Sequence, residues 1–220
     1  GGARNASQRI VADVNNDGAL EYLLVSGGKV LCKLASDVLI WDTPYVAAAR
    51  LWAVDDFDGD GRREVLVSTS LGRLMLFGAA DGKLLWENPD ADFNWIGTVK
   101  VTDIDGDGLP DVYAADQACG SAIRQPAAEY GGARAYTFTG GVANPAVLFT
   151  LEPSVRDYYC GTHNELADID NDGYPEVIAT GDAYVYAYSA ADGKLKYKSP
   201  ALGAFPWGAP SIVAVDADND

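Results

Sequence analysis

The sequence has little histidine, little cysteine and little positive charge, and it contains no long apolar run. A single histidine, His163, excludes a histidine-rich metal centre. The three cysteines do not form a metal motif. No apolar run approaches the roughly 20 residues that span a bilayer, so we expect no membrane insertion in this segment. A net charge of −16 over 220 residues argues against nucleic acid and anionic membranes as partners.

The three cysteines leave two arrangements open. Cys119 and Cys160 bracket one long irregular stretch, and a disulfide between them is the first interpretation. Cys32 is then unpaired, or it pairs with a cysteine beyond this segment. The alternative is three buried thiols.

Aspartate and glycine are plentiful, and they form an acidic cluster that recurs along the chain. It reads "DVNNDGALE" at Asp13, "DFDGDGRRE" at Asp56, "DIDGDGLPD" at Asp103 and "DIDNDGYPE" at Asp168, and "DADND" at Asp216 begins a fifth copy. Successive copies start 43, 47, 65 and 48 residues apart. Self-similarity at such a period indicates a repeat architecture.

The segments around each cluster repeat as well, and they predict the fold. One short apolar stretch precedes each cluster and three follow it, as in "RLWAVDD", "EVLVSTS", "RLMLFG" and "LLWENP" of the second unit. Turn residues separate these stretches, which is the pattern of four short strands, and no segment shows a sustained helical period. Tandem four-stranded units predict an all-β chain, a β-propeller whose blades are these units.

We expect one propeller domain over residues 1–220. Four complete blades span about 8–44, 48–89, 97–153 and 163–200, and the start of a fifth spans 210–220. Because a propeller is a closed ring, we expect part of a seven- or eight-bladed ring; a closed four-bladed ring with a leftover strand is the alternative. An aromatic residue near the end of each unit is expected to pack between blades, with stacking on sugars as the alternative: Trp41, Trp86, Phe149 and Tyr197.

Each complete cluster has the form D-x-[DN]-x-D-G-x-x-[DE]. Oxygen ligands at positions 1, 3 and 5, a turning glycine at 6 and a backbone carbonyl at 7 are how a loop wraps calcium. Magnesium prefers water and stricter geometry. The alternative is a set of turns that only start hairpins, but four copies in register favour about one Ca²⁺ per blade.

The last ligand distinguishes these loops from EF-hands, which place a glutamate at position 12. Here position 12 is Leu24, Val67, Ala114 or Ala179, and the acid falls at position 9. The predicted metal ligands are therefore Asp13, Asn15, Asp17, Ala19 and Glu21; Asp56, Asp58, Asp60, Arg62 and Glu64; Asp103, Asp105, Asp107, Leu109 and Asp111; Asp168, Asp170, Asp172, Tyr174 and Glu176; and Asp216, Asp218 and Asp220. The residues at position 7 act through their carbonyls.

These loops between short strands resemble FG-GAP/VCBS repeats, which form the propeller of integrin α-subunits and of many bacterial surface proteins. The resemblance implies calcium loops on one face of a propeller and ligand-binding loops on the opposite face. It does not fix the activity, since the family includes adhesion subunits, lectins, toxin-complex shells and polysaccharide lyases.

Candidate ligand-binding residues lie in the segments between blades. We expect the aromatic and histidine side chains there to form a rim that stacks on sugars or anchors a protein; the alternative is that they fold back over the blades. These residues are Phe93, Trp95, Tyr158, Tyr159, His163, Phe205 and Trp207. The third unit also inserts "QACGSAIRQPAAEYGG", a candidate for specificity or a tolerated loop.

Catalysis has little support in the sequence. No serine stands in a nucleophile-elbow context beside the single histidine, and most carboxylates are assigned to calcium. The sequence therefore predicts an extracellular or cell-surface binding or adhesion module for a protein or glycan partner, within a larger chain or assembly. The alternatives are the scaffold of a carbohydrate-active enzyme, such as a polysaccharide lyase, and a structural repeat of a surface filament or shell.

Overall fold

The structure is a computed structural model that describes residues 9–88, 93, 96–116, 133–151, 164–181 and 184–202. Within these ranges the chain forms sixteen strands and no helix, and therefore no helix long and apolar enough to cross a membrane. The strands are β1 (Arg9–Ala12), β2 (Glu21–Ser26), β3 (Lys29–Leu34), β4 (Leu39–Asp42), β5 (Ala48–Asp55), β6 (Glu64–Thr69), β7 (Leu74–Gly78), β8 (Leu84–Glu87), β9 (Ile96–Thr102), β10 (Asp111–Asp116), β11 (Ala133–Thr137), β12 (Ala146–Leu151), β13 (Glu165–Ala167), β14 (Glu176–Gly181), β15 (Tyr184–Ser189) and β16 (Leu195–Lys198).

Every four consecutive strands form one antiparallel sheet in chain order. The sheets are β1–β4, β5–β8, β9–β12 and β13–β16, one for each complete unit of the sequence. Direct pairing of strands that are neighbours in the chain produces this order. The predicted all-β class and the four-stranded blades are confirmed, while the number of blades in the ring stays a prediction.

The chain divides into two compact units, and the first contains the first two sheets. It comprises residues 1–90 together with 138–144, the turn between β11 and β12. Apolar side chains of both sheets form one core, in which Leu23 and Cys32 meet Leu51 and Phe77. The buried Trp41 adds a directional contact, because its indole N–H donates to the carbonyl of Ala79 at 2.9 Å. The first unit is thus held by packing between its blades, as a repeat fold requires.

The second unit, residues 91–137 and 145–220, contains the other two sheets. Tyr113 and Phe149 of β10 and β12 pack with Val177 and Ala179 of β14. The hydroxyl of Tyr113 is fully buried and accepts a 2.8 Å hydrogen bond from the side-chain amide of Asn164. This hydrogen bond offsets the cost of removing the hydroxyl from water.

Three of the four predicted packing aromatics are buried. Trp41, Trp86 and Phe149 are each at most 9% exposed, and Trp86 meets Phe138 edge to face at a centroid distance of 5.3 Å. Tyr197 is 53% exposed. The residues predicted to form the next blade, 210–220, lie outside the described part of the chain, so packing of Tyr197 stays a prediction.

Two equivalent turns supply a matched test of packing between blades. Gly82 and Gly193 occupy the turn before the fourth strand of their sheets, with φ of +69° and +71°. A Cβ on Gly82 would lie 2.5 Å from Cε3 of Trp41, whereas a Cβ on Gly193 would make only a 3.4 Å contact with Phe149.

We expect Gly82→Ala to destabilise the protein more than Gly193→Ala. Both variants place a side chain in the left-handed region, at a cost of about 1–2 kcal/mol, and only the first must displace the buried Trp41 ring, for roughly 1–3 kcal/mol more. Chemical denaturation of the two variants measures the difference. Equal losses would show that Trp41 does not hold the first two blades together.

Candidate metal centre

The four acidic loops have one common backbone geometry. Each joins the first and second strands of its sheet. The glycine at position 6 has a φ between +84° and +91°, a conformation that glycine adopts without strain: these are Gly18, Gly61, Gly108 and Gly173. The loop therefore turns back at the glycine so that its acidic side chains converge.

The aspartates at positions 1 and 5 hold this turn. In every loop the position-1 carboxylate accepts the position-6 N–H at 2.9 Å. The position-5 carboxylate accepts the position-7 N–H at 2.7–2.9 Å. Carboxylates that accept backbone N–H groups are fixed in direction, which preorganises their remaining oxygen lone pairs.

The position-9 acid is the first residue of the returning strand, as predicted, and it is buried. The four residues are 0–3% exposed: Glu21, Glu64, Asp111 and Glu176. One oxygen of each accepts the backbone N–H of position 2 at 2.8–3.1 Å. The other oxygen of each carboxylate needs a different partner, either a hydrogen-bond donor or a cation.

Three of the loops bring acidic oxygens close enough to hold one metal ion. Ligand atoms from positions 1, 3 and 9 lie within 4.8 Å of one another in these groups: Asp56, Asp58 and Glu64; Asp103, Asp105 and Asp111; and Asp168, Asp170 and Glu176. In the first loop position 3 is Asn15, whose side-chain carbonyl is also an oxygen ligand of the type that calcium accepts. Its amide group donates to Asp17 at 2.9 Å.

The first three loops have the electrostatics of sites that a cation would complete. Glu21 Oε1 and Asp111 Oδ1 are buried and have no hydrogen-bond partner. Burial raises the pKa of Glu64 to about 7 and that of Asp111 to about 6, and neighbouring loop aspartates add to both rises. A bound divalent cation would satisfy these oxygens and offset the repulsion. The ligand atoms of these loops are all oxygens, and this donor set fits calcium.

The fourth loop differs because a lysine already lies in it. Lys196 Nζ donates to Asp170 Oδ2 at 2.9 Å, to Asp172 Oδ2 at 2.7 Å and to Glu176 Oε1 at 2.7 Å. These bonds raise the pKa of Lys196 and lower that of Asp172. Lys196 was not among the site residues predicted from the sequence. The available signal was its place directly before the unit-ending aromatic, where the other units have Ile40, Leu85 and Leu148.

Several predicted site residues lie outside the described ranges. They are the fifth cluster, Asp216, Asp218 and Asp220; the candidate disulfide, Cys119 and Cys160; and the rim residues Trp95, Tyr158, Tyr159, His163, Phe205 and Trp207. Phe93 is described and is 4% exposed, so it favours the alternative in which loop aromatics fold back over the blades. Cys32 is a buried free thiol, and burial raises its pKa to about 11.

Solved structures support the fold. The V. cholerae biofilm matrix protein Bap1 is 17% identical with a TM-score of 0.56; the match covers 88% of this chain and 28% of Bap1. Saccharomyces cerevisiae Sqt1 is 11% identical with a TM-score of 0.52, over 81% of this chain and 44% of Sqt1. BBS1N, solved in complex with ARL6DN, is 10% identical with a TM-score of 0.52, over 86% of this chain and 55% of that one. This chain thus spans 28–55% of the length of these structures.

Sequence comparison identifies the family. No curated protein matches the chain significantly. The model of the FG-GAP-like repeat matches residues 56–114 and 168–220, about half of the chain. Both matched regions begin at the first aspartate of an acidic loop, and together they cover the second, third and fourth of the loops described above. The predicted family is confirmed: this chain belongs to the FG-GAP-like repeat family.

Proposed function

We propose that this chain is a calcium-stabilised β-propeller module, extracellular or at the cell surface, that binds a protein or glycan partner. The observation that carries the calcium assignment is the buried position-9 carboxylate. In the first and third loops one of its oxygens has neither solvent nor a hydrogen-bond partner. Leaving such an oxygen unsatisfied costs about 1–3 kcal/mol or more for a charged group, which a bound cation would offset.

In a loop that binds calcium, each ligand position would have its own role. Positions 1, 3, 5 and 9 would supply side-chain oxygens, and the backbone N–H bonds to positions 1, 5 and 9 fix the direction of those carboxylates. Calcium, when bound, supplies positive charge that ties the first two strands of a blade together. Six to eight oxygens at flexible angles are what calcium takes, and magnesium demands stricter octahedral geometry.

The extracellular setting is part of the same proposal. Calcium modules outside cells bind with a Kd of roughly 10⁻⁴–10⁻³ M, so their sites are filled only where calcium is abundant. Bap1, which shares the fold, is a biofilm matrix protein, and we extend an extracellular setting to this chain. The name of Bap1 also favours a second candidate, a structural repeat of an extracellular matrix.

The partner-binding surface is proposed on the loops between blades, where the resemblance implies ligand recognition. The rim aromatics there, such as Trp95 and Trp207, have the apolar faces and polar edges that suit sugar rings or protein hot spots. The strong acidic balance, a net charge of −16, favours a neutral or basic partner over an acidic one.

A glycan array probed with the full-length protein in calcium tests the binding function. We expect retention on one class of glycan, weakened at least tenfold in Trp207→Ala and unchanged in Val38→Ala, which alters an exposed residue in the turn between β3 and β4, at the same strand ends as the acidic loops. If no glycan is retained, the same variants are compared in capture of extracellular proteins. Failure of both assays, together with filaments or sheets seen by electron microscopy, would support the structural candidate instead.

A further inference from the structure

Every sheet carries one irregularity at the same place on its fourth strand. Pairing with the third strand slips by one residue there, so a single residue of the fourth strand has no directly opposed partner. That residue always directly precedes the unit-ending aromatic. The four equivalent residues, which we call the bulge residues, are Ile40, Leu85, Leu148 and Lys196.

The bulge residue is apolar in three sheets and cationic in the fourth. From its bulge, the Lys196 side chain reaches the acidic loop that joins β13 and β14. Its ammonium donates to one oxygen from each of positions 3, 5 and 9 of that loop, at 2.7–2.9 Å. An ammonium has three N–H donors, so these bonds use all of them. The Lys196 side chain remains 30% exposed.

The contact with Glu176 is the informative one. Glu176 Oε2 accepts the N–H of Ile169 at 3.0 Å, the same bond that Glu21 Oε2 makes with Val14 in the first loop. The second oxygen of Glu21 is buried without a partner, whereas the second oxygen of Glu176 binds Lys196. In the fourth loop the lysine therefore supplies the hydrogen-bond partner that the second carboxylate oxygen of the position-9 acid lacks in the first loop.

We propose that Lys196 is the built-in cation of the fourth loop, which holds that loop without calcium while the other loops depend on the ion. An ammonium and a calcium ion would need the same oxygens of Asp170, Asp172 and Glu176, and like charges that close repel strongly. The bound lysine thus excludes calcium from this loop. The blade formed by β13–β16 would then keep its first hairpin intact when the calcium concentration falls.

This inference rests on the proposed calcium binding of the other loops, and Lys196→Leu tests it. The leucine restores the residue type of the second and third sheets. Calcium bound per chain is counted by equilibrium dialysis, and thermal unfolding is followed in excess EGTA. We expect Lys196→Leu to bind one calcium more than the unaltered protein. In EGTA its unfolding temperature should fall by several degrees, and calcium should reverse the fall.

A matched control removes the same charge nearby. Lys194→Leu breaks an exposed pair with Asp192 in the adjoining turn, and it should leave both the calcium count and the EGTA unfolding temperature unchanged. An unchanged calcium count in Lys196→Leu, with unfolding in EGTA like that of the control, would overturn the proposal.

The reverse variant keeps the proposal testable if Lys196→Leu fails to fold. Leu85→Lys places an ammonium at the bulge of the second sheet, and we expect it to bind one calcium fewer; an unchanged count would contradict the inference. Failure of the proposed function looks different, since the unaltered protein would then bind no calcium. In that case the EGTA unfolding of Lys196→Leu still decides whether the lysine holds its loop.

Discussion

Removal of calcium with EGTA is expected to lower the unfolding temperature of this protein by roughly 8–16 °C. A ligand at ten times its Kd stabilises the folded state by about 1.4 kcal/mol per site. The three loops in which no lysine contacts the position-9 acid, those that begin at Asp13, Asp56 and Asp103, therefore contribute about 4 kcal/mol together. For a chain of this size, 1 kcal/mol corresponds to about 2–4 °C.

Differential scanning calorimetry at a calcium concentration ten times the measured Kd, with and without excess EGTA, gives this shift. Magnesium at the same concentration is the control for non-specific effects of a divalent ion, and it should restore only a small part of the loss. An unfolding temperature that is the same with calcium and with EGTA would show that the acidic loops are only turns.

The second large effect is expected in the variant Glu64→Gln, whose change in the free energy of unfolding should have opposite signs with calcium and with EGTA. Glu64 is 3% exposed and faces the carboxylates of Asp56 and Asp58 in the second loop. Its shape is kept in glutamine, and the N–H of Phe57 keeps an acceptor. At a calcium concentration a hundred times the Kd, the bound ion contributes about 2.7 kcal/mol at this site. The variant loses that contribution, so we expect its free energy of unfolding to be about 1–2 kcal/mol below that of the unaltered protein.

In EGTA the same variant is expected to be more stable than the unaltered protein, by about 1 kcal/mol. At pH 8, above its pKa of about 7, Glu64 is a buried anion beside other anions. Glutamine removes that charge and can donate to the neighbouring carboxylates. Chemical denaturation at pH 8 under both conditions measures the two free energies.

The control for Glu64→Gln is Glu87→Gln in the same sheet. Glu87 is half-buried and pairs with Arg73, away from the acidic loop. Its substitution should cost a similar small amount with calcium and with EGTA, since the pair does not sense the ion. If Glu64→Gln behaves like this control, with one sign under both conditions, Glu64 is not a calcium ligand.

The repeat and its strands were predictable because their causes are local. The nine-residue loop fixes where each first hairpin turns, and Glu64 at position 9 begins β6 as the sequence analysis expected. The packing role of Trp41 was also readable, since one aromatic ends each unit. These features depend on residues that are close in the chain, or on comparison of one unit with the next.

The features that the sequence did not reveal depend on contacts between distant residues. Lys196 meets its loop across 20–26 residues, and its strand "LKYK" looked only like a fourth strand. The turn 138–144 belongs to the first unit although its flanking strands belong to the second; Phe138 there meets Phe57 and Trp86. Burial of Phe93 likewise follows from tertiary packing that residue type alone does not specify.

The most direct test of the account is the number of calcium ions bound per chain, counted by equilibrium dialysis for the unaltered protein and for Glu64→Gln. We predict that the unaltered protein binds calcium and that the variant, which alters only the second loop, binds one ion fewer. A protein that binds no calcium, or a count that Glu64→Gln leaves unchanged, would contradict the assignment of these loops as calcium sites.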